Sequence, residues 1–376
     1  MRVVMLSKAV VVGTYQRKLE ALAAIPDLEL TVIVPPSWRD PSGETKLERV
    51  YTRGYTLLVE PIRLNGNFHL HHYPTLARRL REIRPDLVHI DEEPYNLATW
   101  LAIRAASAIR AKTVLFSWQN LNRRYPPPFA QGEQWALRAT DGLIAGTQSA
   151  AEVWRAKGFR GPLTVIQQFG VDPALFSPEA HGGIRSGSFE IGFAGRLVPE
   201  KGVDLLLNAF ALLPAAMRTG SRLSIVGQGA ERDTLERLAQ RLNIADQVVL
   251  HGQLPSTQLP AYYRQIDVLV VPSRTQPNWK EQFGRVIVEA LSCGVPVIGA
   301  DCGAIPDVVG VGGVIVPESD PERLAAALEL LWHDPDHRRA LGEAGRQQIL
   351  ARDTITQVAA QTAQFYDELL SVRTAR

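Results

Sequence analysis

The sequence predicts an α/β protein made of two doubly wound parallel-sheet domains, and three observations carry that prediction. At 376 residues the chain exceeds the ~250–300 at which a single hydrophobic core stops growing. Short β-branched apolar runs alternate with longer helical stretches, the order that gives a parallel sheet covered on both faces. The alternation breaks at QFGVDPALFSPEAHGGIRSGS (168–188), a Gly-, Pro- and Ser-rich stretch of linker character, and then restarts.

In the first half, VVML (3–6), LTVIV (30–34), DLVHI (86–90), TVLF (113–116), GLIAG (142–146) and LTVI (163–166) read as buried strands, being short and rich in β-branched residues. Helical stretches such as YNLATWLAIRAASAI (95–109) separate them. In the second half, FEIGFAG (189–195), RLSIVG (222–227), VVLHG (248–252), VLVVPS (268–273) and VPVIGA (295–300) are five more strands. In GVDLLLNAFALLP, the residues Val203, Leu206, Leu207, Phe210 and Leu213 share one helical face. A last helix is expected over 353–372, capped by Asp353. The expected division is therefore 1–172, 173–352, and a C-terminal helix in 353–376 that crosses back to the first domain. Open parallel sheets bind ligands outside the carboxyl ends of their strands, so two such domains facing across a cleft each supply one substrate site.

Composition excludes several classes. An apolar share of 45% and a charged share of 21% are those of a soluble globular chain. No run approaches the ~20 apolar residues of a membrane span. MRVVMLSKAVVVGTY carries no A-x-A-like cleavage site and reads as a buried first strand. With Cys293 and Cys302 alone, a disulfide framework is not expected and a reducing cytoplasm fits. Charge is uneven. Residues 1–172 carry 22 Lys and Arg against 16 Asp and Glu, a net of +6, and residues 173–376 carry 19 against 23, a net of −4. The tracts ARRLREIRP (77–85) and NRRYPPPF (122–129) suit an anionic acceptor or membrane surface, although chance asymmetry accounts for the same numbers.

Three stretches of the second half carry chemistry. In GFAGRLVPEKGVDLLL (192–207) a strand ends, a Gly turn follows, and Arg196 and Lys201 flank a helix start. Amides at a helix start attract anions, and two cations beside them suit a phosphate; a surface pair of Arg196 with Glu200 is the plainer alternative. IVGQGAERDTLERLA (225–239) only partly matches a dinucleotide fingerprint, because the third Gly position is Arg232. Its Gly227 and Gly229 still suit a close-approach turn with room for phosphate or ribose. In NWKEQFGRVIVEALSCGVPVIG (278–299), Glu281 precedes a short helix over 286–292 and Glu289 lies within it. Acids near helix starts are favourable, which covers Glu281. Glu289 interrupts an apolar run and needs a polar partner, a role a ribose diol fills.

Gly-Arg-x4-Lys-Gly, followed about 80 residues later by Glu-x-Phe-Gly-x4-Glu, resembles the retaining GT-B glycosyltransferases of glycosyltransferase family 4, the group 1 glycosyl transferases. The block VPSRTQPNWKEQFGRVIVEALSCGVPVIGADCGAIPDVV is similar to that family's signature almost throughout, and FGVDPALFSP to its interdomain phrase. The resemblance covers essentially the whole chain and is strongest over 165–320. It implies that Arg196 and Lys201 hold the diphosphate of a UDP- or GDP-sugar. Glu281 then lies by the donor sugar with the Phe283 and Gly284 amides, next to Arg285, and Glu289 binds the ribose. Gly252, Gln253 and Leu254 meet the base, while Gly227 and Gly13 line the donor site. It further implies retaining transfer of the sugar to an acceptor hydroxyl, aided electrostatically by fixed cations and amides, with no resident cofactor and no metal.

The first half departs from the family pattern. Gly13–Thr14 stands where many members have Gly-Gly, and FSWQNLNRRYPPPF offers Gln119 or Asn120 where many place a His. An amide hydrogen-bonds a sugar hydroxyl but does not act as a base. Front-face transfer survives this, since the leaving phosphate oxygen takes the acceptor's proton. On the acceptor side, Glu92 and Glu93 of DEEPYNLATW, with Gln119, Asn120 and Arg123, are candidates; helix-start acids are the plainer reading of the first pair. His69, His71 and His72 lack the spacing of a metal set. The expected partners are a nucleotide-sugar donor and a glycan or lipid-linked, cell-envelope acceptor. Transient contact with the inner face of an anionic membrane is a corollary, and no nucleic acid is expected. An epimerase or phosphorylase of the same fold, or a non-catalytic nucleotide-sugar binder, stay open as alternatives.

Overall fold

The structure, a computed structural model, describes residues 1–40, 43–178 and 187–371. Residues 179–186 of the expected linker and the end of the expected last helix at Val372 lie outside the described residues. The chain forms two compact units, Met1–Gly170 with Ile355–Arg376, and Val171–Thr354.

The first unit contains β1 (Arg2–Ser7), β2 (Glu29–Val34), β3 (Ser37–Asp40), β4 (Gly43–Lys46), β5 (Thr56–Val59), β6 (Leu87–Asp91), β7 (Lys112–Ser117), β8 (Gly142–Ala145) and β9 (Leu163–Val165). Seven of these make a parallel sheet in the order β5-β2-β1-β6-β7-β8-β9, and β3 and β4 form a separate antiparallel hairpin. The period-2 pleat sorts β1 cleanly. Val4 and Leu6 join one buried cluster with the helix Leu97–Ala108, while Val3 and Met5 join the other with the helices Arg17–Ala23 and Ile355–Ser371. On that second face, His89 Nδ1 and the Tyr366 hydroxyl share a buried hydrogen bond of 2.5 Å that ties the last helix to β6.

The second unit contains β10 (Phe189–Ala194), β11 (Ser221–Val226), β12 (Val248–Gly252), β13 (Val268–Val271), β14 (Val297–Ala300) and β15 (Gly313–Val316). They form a six-stranded parallel sheet in the order β12-β11-β10-β13-β14-β15. The helix Val203–Leu212 buries the face read from its periodicity, with Val203, Leu206, Leu207 and Phe210 all within 2% of full burial. In both sheets the winding direction reverses beside the first strand, between β1 and β6 and between β10 and β13. Ligands of doubly wound sheets bind outside the strand carboxyl ends at this reversal.

Three differences from the sequence expectations have physical causes. The edge strands β5 (TLLV) and β15 (GVIV) are apolar runs of four residues, too short for the period to tell strand from other buried segments. The β3–β4 hairpin is mostly exposed and carries no apolar alternation. The last helix begins at Ile355, not at Asp353: the Asp353 N–H donates to the Ile349 carbonyl, closing the preceding helix Pro335–Arg352.

Candidate functional site

At the reversal point of the second sheet, the residues after β10 and β13 converge. After β10 the chain makes a 3-10 turn, Pro199–Lys201, and then Gly202 in the left-handed region (φ 67°) opens the helix Val203–Leu212. A Cβ on Gly202 would stand 2.1 Å from the Pro272 carbonyl oxygen, so only glycine lets this turn sit against the end of β13. Arg274 fixes the same turn: its N–H donates to the Glu200 carbonyl at 2.9 Å and its Nε to the Pro199 carbonyl at 2.7 Å.

The turn delivers Lys201 to Glu281. Lys201 Nζ lies 2.6 Å from Glu281 Oε2, the Ser273 hydroxyl donates to the same oxygen at 3.1 Å, and Lys201 Nζ stands 5.0 Å from the centre of the Trp279 ring. Glu281 is buried at 7% exposure, and its carbonyl accepts the Ala304 N–H at 3.1 Å, which pins the loop before the helix Arg285–Ser292. The fold thus brings Lys201 and Glu281, 80 positions apart, into direct contact. Arg196 does not join them; it is largely exposed and pairs with Glu200 at 3.6 Å, the plainer alternative of the sequence reading.

Glu289 lies inside the helix at 4% exposure, as its apolar neighbours imply. Its partners are protein groups: the Tyr263 hydroxyl donates to Oε2 at 2.9 Å, and Arg285 Nε stands 2.9 Å from Oε1. Burial raises its pKa above the usual carboxylate range, and Arg285 and Tyr263 offset part of that rise. The need for a partner is thus met within the fold. Gly284 caps the helix start in the left-handed region, and the Phe283 side chain packs on the adjacent core.

Gly227 (φ 154°) also has a backbone reason. A Cβ there would stand 1.8 Å from the Gly195 carbonyl oxygen, and one on Gly229 would stand 2.0 Å from that of Leu197. The close approach of the β10 loop therefore accounts for both glycines. The Gly252 carbonyl accepts the Gly227 N–H at 2.8 Å, Gln253 is exposed, and Leu254 packs partly on the core.

The first sheet carries a second cluster at its own reversal point, in a pocket of about 340 Å³. Lys8 reaches it from just after β1, Asp91, Glu92 and Glu93 from the end of β6, and Trp118 from just after β7, with the buried Ser7 supporting Asp91. Asp91 accepts from the Ser7 hydroxyl at 2.5 Å and from Gln168 Nε2 at 2.7 and 2.8 Å. Gln168 in turn accepts the Trp118 indole N–H at 2.7 Å. Glu92, 2% exposed, contacts Lys8 Nζ and stands 3.2 Å from His71 Nε2. Glu93 accepts from the Ser117 hydroxyl at 2.5 Å and the Trp118 N–H at 3.1 Å. Burial pushes Glu93 up to about 7 and raises Asp91, whereas Glu92, despite burial, is drawn down to about 2 by Lys8 and His71.

The other first-half candidates stand apart from this pocket's lining. Gln119 is buried and occupied by its own loop, its Nε2 donating to the Leu121 carbonyl at 3.0 Å and its Oε1 accepting from Tyr125 at 3.3 Å. Asn120 is buried and Arg123 exposed, with the Arg123 carbonyl taking Lys157 Nζ at 2.8 Å. The Gly13 N–H donates to Glu48 Oε2 at 2.7 Å. His71 lies with Glu92, while the ring of His69 sits 5.4 Å from Tyr95 and 4.9 Å from Phe129. Sequence reasoning missed Lys8, Ser7, Gln168, Ser273, Arg274 and Trp279. The three in the second half lie within the block that carries the resemblance and Gln168 opens the expected linker, but Ser7 and Lys8 sit in unremarkable local sequence.

Comparison with solved structures gives the class first. Anabaena HepE in complex with UDP matches at a TM-score of 0.73 and 20% identity over 98% of this chain and 100% of its own. A glycosyltransferase from Rickettsia africae matches at 0.76 and 16% over 99% of each chain. At these identities the likeness establishes the fold: two Rossmann-like sheets of the GT-B class. The description Glycosyltransferase Family 4 matches residues 17–175, and Glycosyl transferases group 1 matches residues 179–348. A GDP-mannose-dependent alpha-(1-6)-phosphatidylinositol monomannoside mannosyltransferase of Mycolicibacterium smegmatis is 34% identical over 90% of this chain and 90% of its own length. The chain belongs to glycosyltransferase family 4. D-inositol 3-phosphate glycosyltransferases of Segniliparus rotundus and Streptomyces bingchenggensis are also 34% identical, over 57% and 65% of this chain. This chain spans about half the length of those relatives, 49% and 57%.

Proposed function

We propose that the protein is a retaining glycosyltransferase that moves a sugar from a nucleotide diphosphate sugar to an acceptor hydroxyl in cell-envelope glycolipid synthesis. The observation that carries this is the meeting of Lys201, Glu281 and Ser273 at the reversal point of the second sheet, in a member of this family. In the proposed roles, Lys201 and Arg196 neutralise the departing diphosphate, and Glu281 faces the sugar hydroxyls beside the Phe283 and Gly284 amides. Glu289 with Arg285 takes the ribose, and Gly252, Gln253 and Leu254 the base. The bond from the anomeric carbon to the phosphate oxygen breaks as the bond to the acceptor oxygen forms, and the acceptor's proton passes to the leaving phosphate oxygen. Fixed cations stabilise the charge that develops there.

The full-length relative is named for GDP-mannose and a phosphatidylinositol mannoside, which makes that pair the first to test. Exposed Arg78, Arg81, Arg84, Arg123 and Arg124 on the first unit support peripheral contact with an anionic membrane. Among the described residues, no helix is long and apolar enough to cross one. The test is acceptor-dependent release of nucleoside diphosphate from UDP-, GDP- and ADP-sugars, with and without EDTA. Turnover that ignores the acceptor favours an epimerase, no turnover at all favours a binding protein, and strict dependence on added divalent metal sinks the role given to the fixed cations.

A further inference from the structure

The first-unit pocket is built differently from an anion site. Its walls are aromatic: Trp38 from β3, Phe68, Trp118, and Tyr15, whose ring stacks on Phe169 at 3.8 Å. Its polar lining is acidic, with Asp40, Asp91, Glu92 and Glu93 against a single cation, Lys8, among the described lining residues. That cation is already engaged. Lys8 Nζ contacts the Glu92 carboxylate and lies over the Trp38 and Phe68 rings at 5.3 and 4.9 Å. The buried Lys18 feels the Asp91 charge but is absent from the lining.

The acids also keep acceptor capacity. Each carboxylate oxygen accepts two hydrogen bonds; Asp91 and Glu93 are partly exposed, and Asp91 Oδ1, Glu93 Oε1 and Glu93 Oε2 each take one such bond from Gln168, the Trp118 amide and Ser117, whereas the Glu92 side chain is fully buried. Asp91 is held in place by Ser7 and Gln168, and Glu93 by Ser117 and the Trp118 amide, so their orientations are fixed. Fixed carboxylates accept from hydroxyl groups, and indole and phenyl faces cover the C–H face of a saturated ring. A phosphate entering the same space finds no uncommitted cation among the described lining residues and meets carboxyl groups instead.

We infer that this pocket receives an uncharged polyol ring, a neutral sugar or cyclitol terminus of the acceptor, and excludes a ring that carries a phosphate monoester there. This rests on the proposed glycosyl transfer only in calling the polyol an acceptor; the selectivity belongs to the pocket. The relatives' names include both a phosphorylated cyclitol and a mannosylated glycolipid, and the acidic lining sides with the unphosphorylated ring.

The test is saturable binding to the full chain of myo-inositol, methyl α-D-mannopyranoside and myo-inositol 1-phosphate, followed by ligand-detected NMR. At least one neutral probe should bind about tenfold more tightly than the phosphate, the size expected for like charges a few ångströms apart in a partly desolvated site. Asp91→Asn should weaken the neutral probe several-fold, and Asp91→Asn with Glu93→Gln should narrow its advantage over the phosphate. Phe68→Ala, on the exposed wall, should weaken the neutral probe without unfolding the chain. Equal or tighter binding of the phosphate, or no binding of either neutral probe, overturns the inference. GDP and UDP binding by the same samples reports that the chain is folded. Failure of sugar transfer with intact neutral-probe selectivity counts against the glycosyltransferase reading alone.

Discussion

Replacing Glu93 by Gln tests whether the pocket's carboxylates are electrostatically strained. Glu93 is pushed from an ordinary 4.5 to about 7, chiefly by burial. The sign follows from which state holds the proton. Below pH 4.5 both states are protonated and the group is silent. Between 4.5 and 7 the unfolded chain releases its proton first, so the folded chain loses stability as pH rises; above 7 the penalty is constant. A shift of that size corresponds to about 3 kcal/mol. Glu93 is only partly buried, and solvent screening reduces the expected share to about 1–2 kcal/mol. The amide of the Glu93→Gln variant has no such titration, yet its oxygen still accepts from Ser117 or the Trp118 amide. Glu92, drawn down to about 2, contributes the opposite trend, stability present above 4.5 and lost as pH falls toward 2. That contribution is common to both proteins and cancels in their difference. Melting curves from pH 4.5 to 7.5 should show the wild type losing roughly 2–8 °C relative to Glu93→Gln, at about 2–4 °C per kcal/mol for a unit of this size. Parallel pH curves for the two proteins would refute the reasoning.

The remaining predictions concern the second unit. Arg196→Ala should change stability by less than about 0.5 kcal/mol, because an exposed i,i+4 pair contributes little; nucleotide-sugar titrations of the folded variant should nevertheless show at least about tenfold weaker binding. Unchanged affinity withdraws Arg196 from the diphosphate. Gly227→Ala, with a Cβ placed 1.8 Å from a backbone oxygen, should cost about 3 kcal/mol or more, read as a lower urea midpoint. A near-normal midpoint means the β10 loop yields easily. Glu289→Gln should leave the fold nearly intact, since Tyr263 still has an acceptor, but should weaken nucleoside diphosphate more than inorganic pyrophosphate; equal effects on both ligands remove the ribose role.

What was legible in the sequence was the interior. β-Branched runs buried on both faces announced the central strands, and the periodicity of Val203 to Leu213 announced its helix. The edges β5 and β15 were missed although TLLV and GVIV are apolar, because four residues are too few for a period to show. Lys201 and Glu281 were both singled out in the sequence, but their direct contact was not, and the close packing of Gly202 against the Pro272 carbonyl makes it geometrically possible. Glu289 and Gly227 show what such a signal leaves open. A buried acid calls for a partner without saying whether the fold supplies it, and here Tyr263 does. A glycine calls for space without saying what fills it, and here a backbone oxygen does. The Lys8, Asp91 and Gln168 grouping was not legible, because residues separated by 83 and 77 positions meet only once the sheet is wound.

The charges around the second sheet's reversal point share one feature. Arg196 contacts Glu200, Lys201 contacts Glu281, and Arg285 contacts Glu289, so each cation assigned to the donor already has a carboxylate. A diphosphate arriving there competes with those acids instead of meeting bare charge, and the contest differs from pair to pair. Arg196 is exposed and its pair is weak, so a phosphate displaces Glu200 at little cost. Lys201 is partly buried, and Ser273 and Trp279 hold it and its partner in place. An ammonium has three donors, and one of them toward Glu281 leaves two for phosphate oxygens. Lys201 is therefore suited to bridge a phosphate and the sugar-side carboxylate at once, while Arg196 is suited to swing between partners. On this division, losing Arg196 weakens capture of the donor, whereas losing Lys201 also leaves Glu281 as a buried acid without its cation.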